Sequence, residues 1–279
     1  MSVRPKKRLG QHFLTDEVVV RAIVDAAGDA SATGGLVEIG PGEGALTGAL
    51  LARHPAMVAL EVDPEAVAHL RRRFPALDVR EADVLEADWS ALRAGDRGWD
   101  MGDEEGSASP IPHPSSPLLT VVGNLPYYIT SPILLGLIEA RAHVARAVVM
   151  VQKEVADRLV APPGSKTYGT LSVYLALTSR ATLLVDVPRH AFRPPPAVES
   201  AVVVVDFDGR APVAPFADVQ RVVRAAFGQR RKMLRNSLGA LAAETGRPLP
   251  AWAATRRPEA VAPDEFDALA RHFFGEASG

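Results

Sequence analysis

Cysteine is absent from all 279 residues, which excludes disulfides, thiolate-held metals and a cysteine nucleophile. The seven histidines are scattered, with no HxxxH or HxH pair, so no zinc site and no other metal centre is expected. No apolar run approaches the ~20 residues that span a bilayer. Basic residues at the start (Arg4, Lys6, Lys7, Arg8) are followed by Gly10-Gln11-His12 and not by an apolar stretch, so no signal peptide is read. The cytoplasm is the expected compartment. Net charge is close to balanced at −2, but its distribution is uneven. Residues 209–247 hold eight Arg/Lys against Asp218 and Glu244, whereas residues 78–105 hold ten acids against three arginines. A neutral total therefore coexists with a basic region able to meet a polyanion.

With 47% hydrophobic residues the chain can bury one large core, or a large one and a small one. Thr15, Asp16 and Glu17 precede an apolar helix face over 18–27, and Thr15 is the expected cap. Beyond Gly34-Gly35, short apolar runs alternate with helical patterns. Strands are expected at 36–39, 57–62, 77–79, 120–123 and 147–151, with helices over 45–53, 64–73 and 131–142 between them. That alternation implies an α/β fold with a parallel, doubly wound sheet. Runs at 181–187 and 201–207 would complete it as a hairpin-like edge. Residues 95–117 are different: 12 of 23 are Gly, Pro or Ser and five more are acidic, the composition of a flexible surface insertion. After Phe207 the pattern is helical only, over 217–227, 231–243 and 263–274 with a shorter piece near Trp252. The expected division is an α/β domain at 1–208 and a small all-α domain at 209–279.

Glu38-Ile39-Gly40-Pro41-Gly42-Glu43-Gly44 follows a strand and opens a helix, the setting of a nucleotide-binding glycine loop. Its spacing is GxGxG and not GxGxxG, and it contains no Lys or Arg, which disfavours a pyrophosphate. No GK[ST] follows, which excludes a P-loop. Glu61 closes the second strand, where an acid accepts hydrogen bonds from ribose hydroxyls. Asp83 closes the third and could accept from an adenine amine, with Val84 packing on the ring. Two acids on successive strand ends fit S-adenosylmethionine better than NAD.

Val121-Val122-Gly123-Asn124-Leu125-Pro126-Tyr127-Tyr128 then brings a polar amide, a rigid proline and aromatics to the fourth strand end. Asn124-Leu125-Pro126-Tyr127 has the form of a tetrapeptide carried by methyltransferases that act on nucleobase amines. Adenine N6 is a poor nucleophile because its lone pair is delocalised into the ring. The Asn124 side-chain oxygen and the Leu125 carbonyl can each accept an N6–H, Pro126 fixes the geometry, and Tyr127 can stack on the base.

These blocks, together with Leu9–Leu14, Val151–Val155, Tyr168–Val173, Phe192–Ser200 and Phe227–Leu238, resemble the ribosomal RNA adenine dimethyltransferase family, in its bacterial KsgA (RsmA) type, nearly end to end. The resemblance implies a class I, Rossmann-like S-adenosylmethionine methyltransferase sheet with a C-terminal helical RNA-binding domain. It implies conversion of two adjacent adenosines near the 3′ end of small-subunit rRNA to N6,N6-dimethyladenosines. It also implies that His12, Leu14, Gly40, Glu61 and Asp83 contribute to the cofactor pocket. Many relatives have Asn at the position of His12, so that contact can come from the backbone. By the same resemblance, Phe192 packs on the target base opposite Tyr127. Read without it, Phe192 is equally a core aromatic on a proline-rich turn.

Arg230, Arg231, Lys232 and Arg235, with Arg221 and Arg224 nearby, are either a solvated helix face or an RNA-backbone contact; the scarcity of acids favours RNA. Methylation of large-subunit rRNA and a non-catalytic ribosome-assembly role are the alternatives. The Phe227–Leu238 block and Leu125 argue against the first, and the intact Glu61, Asp83 and Asn124–Tyr127 set against the second. A pre-ribosomal small subunit is the expected partner, and nothing suggests an obligate dimer.

Overall fold

Central strands buried on both faces form the core of the larger unit of the protein. The structure, a computed structural model, describes residues 12–29, 34–92 and 118–275; the 95–117 insertion read from the sequence lies outside them. Contact density divides the chain into two compact units, residues 1–153 with 183–206, and residues 154–182 with 207–279. The division therefore does not follow a single cut at 208, because 154–182 groups with the helices after Phe207.

In the first unit, strands β2 (Leu36–Ile39), β3 (Val58–Glu61), β4 (Asp78–Glu81), β5 (Leu119–Asn124) and β6 (Val144–Gln152) are parallel, and β9 (Ser200–Asp206) runs antiparallel to β6. The sheet order is β4-β3-β2-β5-β6-β9-β7, with β7 at Arg180–Val187. All four residues of β2 and of β3 are buried, which is why both are apolar apart from the acids Glu38 and Glu61. The chain winds from β2 outward through β3 to β4, then returns to the other side of β2 as β5. The switch point of the sheet lies between β2 and β5, where Ile39 is registered with Gly123. A Cβ at Gly123 would lie 2.9 Å from the Ile39 carbonyl oxygen, so only glycine lets the strands approach this closely.

Helices α1 (Glu17–Ala27), α2 (Thr47–Arg53), α3 (Pro64–Arg73) and α4 (Thr130–Glu139) connect or flank the strands. Asp16, and not the expected Thr15, caps α1 by accepting from the Val18 and Val19 N–H groups. Thr15 is engaged elsewhere: its N–H and hydroxyl both donate to the Ala191 carbonyl. That contact belongs to a pairing the sequence did not signal, between β1 (Phe13–Leu14) and β8 (Phe192–Arg193). Asp63 caps α3 and Pro64 occupies its first turn.

The second unit is built from α6 (Thr170–Thr178), most of α5 (Lys153–Leu159), and α7 (Phe216–Gly228), α8 (Leu234–Ser237), α9 (Gly239–Thr245), α10 (Ala251–Ala254) and α11 (Pro263–Phe274). Val219, Val222, Val223 and Ala226 of α7 and Phe266, Leu269, Ala270 and Phe273 of α11 are buried at helical spacing. The Phe227 and Phe266 rings meet at 5.8 Å. Buried Asp267 accepts from the Val213 and Ala214 N–H groups and fixes the approach to α7. The helix expected over 231–243 is instead broken into α8 and α9. α7 ends at Gly228, Met233 is extended, and the Leu234 N–H donates to the Arg256 carbonyl and not back along a helix.

Candidate functional site

The carboxyl ends of β2, β3 and β5 open into a cleft of about 990 Å3, counted out to solvent, lined by the glycine loop, Glu61, Asp83, Val84 and Asn124–Tyr127. Gly40 and Gly42 have φ of 61° and 57°, a left-handed conformation that glycine adopts without strain. A Cβ at Gly40 would meet nothing within 4 Å, so the loop leaves open space against its backbone, whereas Gly42 is covered by the Phe13 ring.

Glu61 is 5% exposed; its Oε2 accepts the Gly42 N–H at 3.0 Å and its Oε1 the Asp63 N–H at 2.9 Å. A carboxylate has about four acceptor positions, so capacity remains for a hydroxyl donor beyond its backbone partners. Burial pushes its carboxyl pKa up, against the backbone hydrogen bonds that lower it. Glu38 lies deeper, 1% exposed, accepting from the Thr47 hydroxyl at 2.8 Å. Burial raises its pKa from 4.5 to about 8, opposed by the Thr47 hydrogen bond and reinforced by repulsion from Glu61. Glu38 thus braces the start of α2 from beneath the loop. Asp83 is exposed, caps the turn that follows by accepting the Leu85 N–H, and lines the cleft with half-buried Val84. A buried acid for hydroxyl donors, an exposed acid for an amine, an apolar wall and an open glycine backbone fit an adenine nucleoside.

Asn124 ends β5 beside this loop, and its Nδ2 donates to the His12 carbonyl at 3.0 Å. Among the described residues none donates to its Oδ1. Leu125 is 1% exposed and its N–H donates to the Met150 carbonyl, so pairing with β6 fixes the backbone one peptide ahead of the Leu125 carbonyl. The Pro126 carbonyl accepts from the buried Thr130 hydroxyl. The Tyr127 hydroxyl is 2.6 Å from Ser200 Oγ, and burial raises its pKa. Its ring lies 5.9 Å from that of His12 at 27°. Leu14, 4% exposed, closes the floor.

The structure thus gathers His12, Leu14, Glu38, Gly40, Gly42, Glu61, Asp83, Val84 and Asn124–Tyr127 around one cleft. Gly44 stands behind the loop, with Phe74 against the place of its missing side chain. Phe192 does not join them. It is 2% exposed and packed in the core with Leu14, Val187 and Ala191, because β8 turns its ring inward where Leu14 pairs with it. Its expected packing on the target base concerns the RNA-bound state; here the ring stands in the core. Phe13, Pro194 and Ser200 were not singled out from the sequence. All three lie inside the quoted blocks, but only the fold shows what each touches.

In the second unit Arg224, Arg230, Arg231, Lys232 and Arg235 are exposed. Arg230, Arg231 and Lys232 occupy the turn between α7 and α8 and not a helix face. Arg221 is already engaged, paired with Glu244 and lying 4.2 Å from the Phe274 ring centre.

A family described as "Ribosomal RNA adenine dimethylase" matches residues 3–250. The ribosomal RNA small subunit methyltransferase A of Salinibacter ruber is 46% identical over 276 residues, covering 98% of this chain and 86% of the relative. The protein of that name from Cupriavidus taiwanensis is 41% identical over 289 residues, covering 98% and 95%. The fold is shared with a dimethyladenosine transferase from Plasmodium falciparum (TM-score 0.70, 22% identity, 94% of this chain and 100% of that one). It is shared also with the 23S rRNA methyltransferase ErmE (TM-score 0.62, 23% identity, 94% and 99%). The α/β unit is accordingly a class I methyltransferase fold, and the chain belongs to the ribosomal RNA adenine dimethylase family.

Proposed function

We propose that this protein dimethylates N6 of two adjacent adenosines near the 3′ end of small-subunit rRNA, with S-adenosylmethionine as donor, on a pre-ribosomal small subunit in the cytoplasm. The observation that carries the reading is the register of β2 and β5, which sets Asn124 beside a glycine loop flanked by Glu61 and Asp83. Glu61 would hold the ribose hydroxyls of S-adenosylmethionine, Asp83 the adenine amine and Val84 a ring face. When bound, that cofactor supplies an electrophilic methyl group.

The protein's own residues act on the acceptor. Asn124 Oδ1 and the Leu125 carbonyl would accept from the N6–H groups of the target adenine, two before the first transfer and one before the second, which draws the lone pair out of conjugation and aims it. Each transfer ends with release of one N6 proton to solvent. Tyr127, tethered through its hydroxyl to Ser200, offers a stacking face to the extruded base. No strong base is needed before attack, because an aligned, polarised amine is the reacting species. Alignment of this kind is worth up to ~7–11 kcal/mol of barrier. The exposed cations of the second unit, Arg224, Arg230, Arg231, Lys232 and Arg235, would meet the RNA backbone, and the protein would act as a monomer.

Incubating the protein with radiolabelled S-adenosylmethionine and unmethylated small subunits, then mapping modified nucleotides, tests this. Label in two adjacent N6,N6-dimethyladenosines supports it; label elsewhere, or none, refutes it.

A further inference from the structure

His12 touches both members of the acceptor site. Its carbonyl accepts the Asn124 Nδ2–H at 3.0 Å, and its ring lies against Tyr127. The same ring is anchored on the far side, with Nδ1 2.8 Å from the Pro194 carbonyl. Chemistry fixes the orientation of both groups. A carbonyl only accepts, so Nδ1 carries the proton toward Pro194, and the atom that Asn124 turns to His12 is its NH2. Oδ1 is then left on the opposite side of the amide, where no described residue donates to it.

That orientation matters because the Asn amide has two nearly isosteric settings. One presents an acceptor to the adenine amine; the other presents two more donors to a donor. Something must select the first, and the His12 carbonyl is the described group that does. The carbonyl is in turn held at the residue itself and downstream of it. Downstream, Phe13 and Leu14 pair with Arg193 and Phe192, and the Thr15 N–H donates to Ala191 at 2.7 Å. At the residue itself, the ring hydrogen bond to Pro194 is a further tether. Segment 191–194 thus holds the strand that sets the reacting amide.

We propose that His12 is a positioning residue for methyl transfer: by anchoring its ring on the Pro194 carbonyl, it holds its own carbonyl where it locks the Asn124 amide with Oδ1 toward the acceptor amine. The proposal rests on reading the cleft as an adenine N6 methylation site. It assigns His12 no proton transfer, since Nδ1–H is used as a fixed donor. A side-chain amide can replace it, because Asn Nδ2 stands as many bonds from Cα as His Nδ1.

Two measurements on the full-length protein test it, using wild type, His12→Ala and His12→Asn. The first is single-turnover methyl transfer at saturating S-adenosylmethionine and RNA, with cofactor affinity measured by calorimetry. His12→Ala should slow transfer about 10- to 100-fold while cofactor affinity changes less than about threefold, the signature of lost alignment and not of lost binding. His12→Asn should restore the rate to within about threefold of wild type, since it keeps the hydrogen-bond donor. Transfer by His12→Ala at the wild-type rate overturns the proposal, and so does a His12→Asn variant as slow as His12→Ala. The second is hydrogen exchange of the Asn124 side-chain amide by nitrogen-15 spectroscopy. Protection should be present in wild type and His12→Asn and lost in His12→Ala. Equal exchange in all three overturns the positioning role even if the wild-type protein leaves the RNA unmodified, an outcome that would separately refute the functional reading.

Discussion

Replacing Glu38 by Gln should make the α/β unit more stable, increasingly so as pH rises. Glu38 is 1% exposed, and burial raises its pKa from 4.5 to about 8. The folded state therefore holds this proton more tightly than the unfolded chain does. Its favourable contribution is complete below pH 4.5 and is lost as pH climbs through about 8. Each pKa unit is worth about 1.4 kcal/mol, so the loss is roughly 3 kcal/mol by pH 7 and approaches 5 above pH 8. Gln keeps the shape, keeps an acceptor for the Thr47 hydroxyl and cannot ionise. Relative to wild type, Glu38→Gln should be nearly neutral at pH 5 and stabilised by roughly 3 kcal/mol at pH 7. Hydrogen exchange of the β2 and β5 amides reads this unit without averaging over the helical one. Comparing both proteins at each pH cancels the titrating groups that do not interact with Glu38, leaving its repulsion with Glu61 inside the difference. A stability difference that stays flat between pH 5 and 8.5 would refute the reasoning, as would a variant that weakens with rising pH.

Glu61→Ala should weaken calorimetric S-adenosylmethionine affinity by about 1–3 kcal/mol, the scale of a lost hydrogen bond to a charged group; an unchanged affinity removes Glu61 from the cofactor site. Phe192→Ala should cost about 3–5 kcal/mol of stability, as a core phenylalanine does. Phe192→Leu should cost about 1 kcal/mol and keep its rate; a stable Phe192→Leu that has lost turnover would return the ring to the target base. Replacing Arg230, Arg231 and Lys232 together by Ala should weaken RNA binding and flatten its logarithmic salt slope by about two units. An unaltered slope would make that turn ordinary solvated surface.

The switch-point architecture is legible because buried parallel strands leave short, mostly apolar runs, as in Leu36–Ile39 with its one acid Glu38, and because capped helices interrupt them. Glu61, Asp83 and Asn124 could be placed at strand ends by counting alone. Other features depend on contacts that no local pattern encodes. β1 and β8 are two residues each and pair across nearly 180 positions, so neither carries a periodicity. The burial of Phe192 follows from that pairing. α6 escaped notice because Leu171–Leu175 are all buried, which erases the one-sided stripe that identifies a helix. The break at Met233 is set by a hydrogen bond to Arg256, over twenty residues away.

The central claim is that Asn124 aims the adenine amine. Its most direct test is single-turnover transfer by Asn124→Ala under saturating cofactor and RNA, with both affinities measured alongside. Losing a positioned acceptor in a buried site should slow transfer at least about 100-fold while both affinities stay within about threefold. A variant that binds both ligands normally and still methylates adenosine at the wild-type rate would contradict the account.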